Sequence, residues 1–150
     1  MLTFTVRGTP ATKGSMRGRM AFVKGKGWRT FLFHDNERTG TWQTLVRDGA
    51  AQARARIRHT GILYPKPIPV TVIAEFVLPC PIKLRKRADS HPTTKPDADK
   101  LIRLVFDALT GIAYTDDAQV VQLQARKRYV TPGEDPGVVV TVTGGSDAHV

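Results

Sequence analysis

Cysteine is nearly absent: Cys80 is the single one in 150 residues. One thiol excludes an intramolecular disulfide and every zinc site built on several cysteines. It suits a reducing compartment. Long hydrophobic runs are missing as well. No apolar stretch reaches the roughly 18 residues that a membrane-spanning helix needs. The N-terminal MLTFTVRGT alternates like a strand and has no continuous apolar centre, so it does not read as a signal peptide. These absences predict a cytoplasmic protein without membrane association. No internal repeat is found.

Acidic residues are scarce at the start. None precedes Asp35, whereas Arg7, Lys13, Arg17, Arg19, Lys24, Lys26 and Arg29 do. Over the whole chain 23 Lys and Arg stand against 13 Asp and Glu, a formal charge of +10. That balance does not choose a fold. It attracts polyanions, nucleic acid first and an anionic membrane surface second. Further basic runs are KLRKR at 83–87 and RKR at 126–128. Against this background, five of the 13 acids (Asp97, Asp99, Asp107, Asp116 and Asp117) fall within residues 97–117.

The length favours one domain, which buries roughly 70% of its unfolded surface and needs no disulfide or structural metal. LTFTVR at 2–7 alternates with period two and predicts a strand with Leu2, Phe4 and Val6 inward. Residues 8–30 are rich in Gly, Lys and Arg, with turns at Gly25 and Gly27 and a hairpin around MAFV. This segment is either a solvated loop or a basic arm that tracks phosphates. A helix is expected over 39–57, capped by Thr39 or Thr41, with Trp42, Leu45, Val46, Ala50, Ala53 and Ile57 as its apolar stripe. Gly49 counts against that helix. PIPVTVIAEFVLP at 67–79 is the clearest strand, and a polar, basic loop follows over 80–96.

DKLIRLVFDAL at 99–109 follows the helical i, i+3, i+4 pattern, with Asp99 as N-cap and Gly111 as the stop. Residues 118–130 return to period two, with Val121, Leu123, Ala125 and Tyr129 on one face. TPGED turns the chain into a last strand at 137–143, and the SDAHV tail frays. The expected fold is α+β: a two-layer sandwich of one mixed four-stranded sheet and two main helices.

The acids have plain structural readings. Asp99 can cap a helix, Asp97 can face its dipole, Asp99–Arg103 and Arg103–Asp107 can be surface pairs, and Asp116 and Asp117 can be turn residues. If they converge instead, their repulsion calls for a neutralising cation. An all-oxygen set selects a hard ion, Mg²⁺ or Mn²⁺, and such an ion in a basic groove makes a phosphodiester site.

KPDAD at 95–99, DALTG at 107–111 and DDAQVV at 116–121 together resemble the RusA family of Holliday junction resolvases. The likeness is strong over about a quarter of the chain. It implies a Mg²⁺-dependent endonuclease, with Mn²⁺ as a substitute, that acts as a homodimer on four-way or branched DNA. The setting would be a bacterial nucleoid or a phage-infected host cell. Residues 1–143 would form the single nuclease domain, and 144–150 a flexible tail. By the same resemblance Asp97, Asp99 and Asp117 are the metal-binding catalytic carboxylates, with Asp116 as the neighbouring acid. Arg103 stands where the family carries a catalytic lysine, and Lys100 replaces the usual asparagine. Phosphate contacts are expected from Lys13, Arg17, Arg19, Lys24, Lys26, Arg85, Lys86, Arg87, His91, Lys95 and Lys100. Ile73 and Val77 are expected to be exposed and to serve the dimer. Three alternatives stand beside this one: a non-enzymatic DNA-binding protein, a metal nuclease for flaps or forks, and a ribosomal or RNA-processing protein.

Overall fold

The computed structural model describes the backbone of residues 1–12, 17–23, 27–33, 37–84 and 90–145, and the side chains of 1–12, 40–84 and 90–145. β1 (Leu2–Arg7) comes first, then β2 (Arg17–Val23) and β3 (Gly27–Phe33). α1 (Glu37–Arg56) and β4 (Val70–Leu78) follow, then α2 (Ala98–Leu109), β5 (Val120–Tyr129) and β6 (Gly137–Gly144). Four strands form a mixed sheet in the order β1-β6-β4-β5, in which only β4 and β5 are parallel neighbours. β2 and β3 pair separately as an antiparallel hairpin, as the MAFV segment suggested. The α+β architecture expected from the sequence is present. The SDAHV tail lies outside the described residues.

The helices cover one face of the sheet. Leu2, Phe4 and Val6 of β1 are buried against α1, and Val70, Val72, Ala74, Phe76 and Leu78 of β4 point into the same core. α2 adds Leu101, Ile102, Leu104, Val105, Ala108 and Leu109. Each such Leu or Val, fully buried, contributes about 1.5–3 kcal/mol. β4 starts after Pro69 rather than at Pro67, because a strand paired on both edges has no place for residues without an N–H.

Several expectations are corrected. Leu45 is 43% and Ile57 49% exposed, so the stripe on α1 is narrower than read: Trp42, Val46, Ala50 and Ala53. Ile57 lies past the helix end, and Thr39 and Thr41 lie inside it rather than at its cap. On β5, Val121 is 63% and Leu123 45% exposed, because β5 is the sheet edge and extends beyond the helical layer. Val77 is buried, not exposed. Its cross-strand neighbour Arg128 is fixed beside it by Glu75 and Glu134. Ile73 is exposed, as expected.

Gly49 has a packing reason. A Cβ there would stand 2.8 Å from Val6 Cγ2 and 3.1 Å from Phe4 Cδ2, so glycine lets α1 approach β1 closely. At Gly40, on the same helix, a Cβ would meet nothing within 4 Å. The two glycines should therefore respond oppositely. Gly40→Ala should stabilise the fold by about 0.5–1 kcal/mol through helix propensity. Gly49→Ala should destabilise it by about 1 kcal/mol, as overpacking outweighs the same gain. Urea unfolding of the two variants checks both signs.

Candidate active site

α2 begins one step earlier than its sequence suggests. The Asp97 backbone is extended, and its carbonyl accepts the first helical bond, from Leu101 N–H at 3.1 Å. Asp97, not Asp99, is thus the N-cap, and Asp99 sits in the first turn, where the helix dipole favours a carboxylate. The Asp97 side chain makes no capping bond. It faces the Lys100 ammonium at 3.0 Å instead. That hydrogen bond and charge hold Asp97 below the usual carboxylate range, with smaller help from Lys95 and Lys127. Asp99 and Arg103 are both exposed.

The second acidic pair follows the far end of α2. Thr110 caps that end, and Gly111 turns the chain at φ 80°, a conformation glycine adopts freely. Tyr114 is fully buried, and its hydroxyl donates to the Phe106 carbonyl. Burial pushes its phenol far above the ordinary value, and the charges of Asp117 and Asp107 add to the rise. Asp116 then caps a single 3-10 turn, Asp117–Gln119, by accepting Ala118 N–H at 3.0 Å. This bond and Lys66, 2.9 Å away, keep Asp116 below the usual range.

Gln119 fixes this turn. Its Oε1 accepts the N–H groups of Thr115 and Asp116, and its Nε2 donates to the carbonyls of Tyr64 and Ile68. One buried amide so joins the acidic turn to the segment that enters β4. Sequence reasoning missed Gln119, Lys66 and Tyr114. The spacing Asp116-x-x-Gln119 is a capping-box pattern and was a usable signal for Gln119. Nothing in the sequence marked Lys66.

The structure does not gather the four aspartates. Asp97 and Asp99 open α2, Asp116 and Asp117 follow it, and its 12 residues span about 18 Å. Among the described residues no three His, Cys, Asp or Glu side chains come together as a metal cage. The donors suit a hard cation; the described residues of one chain do not assemble a site for one. His91 and Lys95 are exposed and Lys100 partly so, all on the approach to α2. Lys13, Lys24, Lys26, Arg85, Lys86 and Arg87 lie outside the described residues, and of Arg17 and Arg19 only the backbone, on β2, is described. The third basic run is structural. Arg126 and Arg128 are held by Glu75 and Glu134 on the face away from the helices.

Gln119→Leu should cost about 2–4 kcal/mol, because it strands two N–H groups and two carbonyls; chemical denaturation measures it. Acid should weaken the fold in a defined window. Arg128, then the Thr131 N–H, hold Glu134 down to about 2, and Glu75, Asp97 and Asp116 are lowered too. Groups lowered by folding stabilise it above their ordinary values and lose that contribution as pH falls. Thermal stability should therefore decline from about pH 4.5 towards pH 2, and Glu134→Gln should flatten part of the slope.

The family model described as endodeoxyribonuclease RusA matches residues 10–143. A Bacillus subtilis (strain 168) protein named only as uncharacterized protein YqaN is 31% identical over 150 residues, covering 94% of both chains. With a match from strand β1's exit to the last strand, and with both acidic pairs inside it, this chain belongs to the RusA endodeoxyribonuclease family.

Proposed function

We propose that the chain is a structure-selective endonuclease that resolves four-way DNA junctions by paired symmetric nicks. Asp97, Asp99 and Asp117, with Asp116 beside them, would hold Mg²⁺, for which Mn²⁺ could substitute. The observation that carries this reading is the placement of the family's aspartates. Asp97 and Asp116 each stand at the surface beside a lysine, at the two ends of one crossover in a chain of charge +10. Arg103, exposed one helical turn after Asp99, suits bidentate contact with a phosphate. Lys95, Lys100 and His91 extend the cationic approach.

Two symmetric cuts call for two identical sites, which a two-fold dimer provides. A dimer also answers the separation of the acidic pairs. An antiparallel copy of the α2–β5 unit would set the start of one α2 beside the end of the other. β5 favours that arrangement. It is an open edge with Val121 and Leu123 exposed, an apolar surface that a second copy would cover. The lack of a third carboxylate within one chain, among the described residues, is also what favours a second reading, a DNA-binding protein that does not cut.

Cleavage of a labelled four-way junction decides between them. Wild type with Mg²⁺ should give paired nicks, and should spare linear duplex and cut flaps poorly. EDTA, Asp97→Asn or Asp117→Asn should each lower the rate by about 100-fold or more while junction binding persists. Mixing the two inactive variants should restore one nick per junction if the acids act across the dimer. Tight binding without any nick under all conditions would leave the non-cutting reading.

A further inference from the structure

The RKR run at 126–128 divides between the two faces of the sheet, and its middle residue goes where the other two do not. Lys127 lies opposite Phe76 in the β4–β5 register, on the helix side. Its ammonium donates to the Thr94 carbonyl at 2.8 Å and to the Pro96 carbonyl at 2.9 Å. These carbonyls belong to the segment that delivers the chain into Asp97 and the first turn of α2. The three residues before α2 lie in no helix or strand. Among the described residues, Lys127 is the side chain that bonds both carbonyls to the sheet. Its charge also acts on Asp97 without a direct hydrogen bond between them.

We propose that Lys127 is a positioning residue. It ties the KPDAD segment to the edge strand and so sets where Asp97 and Asp99 stand. A lysine suits this role. Its register opposite Phe76 starts the stem on the helix side, and its head supplies three N–H donors, two of them spent on carbonyls. A surface contact with DNA would instead leave the ammonium free of protein acceptors. The functional half of the inference rests on the nuclease reading above; the structural half does not.

Two variants of the full chain, Lys127→Met and Lys127→Arg, test it with three measurements. These are amide hydrogen exchange over residues 94–101, junction affinity, and the Mg²⁺ dependence of junction cleavage. Lys127→Met should exchange the amides of 97–101 about tenfold faster, with those of β6 unchanged. Its Mg²⁺ midpoint should rise about tenfold at nearly constant junction affinity. Lys127→Arg should fall between it and wild type in both. Unchanged exchange, or affinity lost with exchange unchanged, overturns the proposal, the latter because it marks a phosphate contact. Faster exchange with an unmoved Mg²⁺ midpoint overturns the functional half. If Lys127→Met loosens the whole molecule, β6 will show it and Lys127→Arg decides. If wild type cuts nothing, the nuclease reading fails alone, since the exchange comparison needs no activity.

Discussion

Parallel strands cannot be joined by a tight turn, and β4 and β5 are parallel. The chain must leave the end of β4, return along the sheet and start again beside its beginning. α2 makes that return. Its apolar stripe, buried on the sheet, fixes its height; its cap at Asp97 and its stop at Gly111 fix its length. Each acidic pair sits at one of those ends. The crossover thus determines that the acidic pairs belong to opposite ends of one helix, whose 12 residues span about 18 Å. Everything proposed about a second chain follows from that length.

The positive charge is sorted by the same sheet. Alternation along β5 sends Arg126 and Arg128 to the open face and Lys127 to the helical side. On the open face the arginines meet Glu75 and Glu134, so this basic stretch is locally neutral despite the charge of the chain. Glu134 reaches Arg128 because the turn after β5 folds back, with its N–H bonded to the Thr131 carbonyl. A shallow hollow of about 230 Å³, lined by Ile73, Glu75, Gln124, Arg126, Val139 and Thr141, opens on that face, away from α2. With Lys127 spent on backbone carbonyls, Lys66, Lys95, Lys100 and Arg103 are described cations left near the acids. They are the ones a nucleic-acid phosphate approaching α2 would meet.

Much of this was legible in the sequence, for identifiable reasons. Period-two runs mark β1 and β4, whose alternate residues face the core, and the TPGED turn marks the start of β6. The extent of α2 was readable to within a residue from its apolar spacing and Gly111, although its cap is Asp97 and not Asp99. Period two on β5 puts Leu123, Ala125 and Tyr129 on one face, as the register shows, but not how far that face is covered. Alternation alone does not say whether the helices extend far enough to cover Val121 and Leu123. Leu45 misled for the same reason: the width of a buried stripe depends on how close its neighbour lies. Gly49 sets that approach, yet in sequence it is only a poor helix former. In the site, residue types and their order carried the aspartates. The roles of Gln119, Lys66 and Lys127 depend on contacts 31 to 55 residues away in sequence, which no local pattern encodes.

Why a basic chain places carboxylates on its surface can now be answered in part. Exposed ion pairs such as Asp97–Lys100 and Asp116–Lys66 add little to stability, so stability does not explain them. Their clear effect is on charge state: Asp97 and Asp116 are both held below the usual carboxylate range. Each lysine also keeps its own charge within reach of whatever displaces it. A carboxylate kept anionic by an exposed ammonium is a poor structural device and a good receptive one. On the nuclease reading proposed above, a cation would take the carboxylate and the lysine would be left for a phosphate. On that reading the acids, each paired with a lysine, would not oppose the attraction of the chain for DNA.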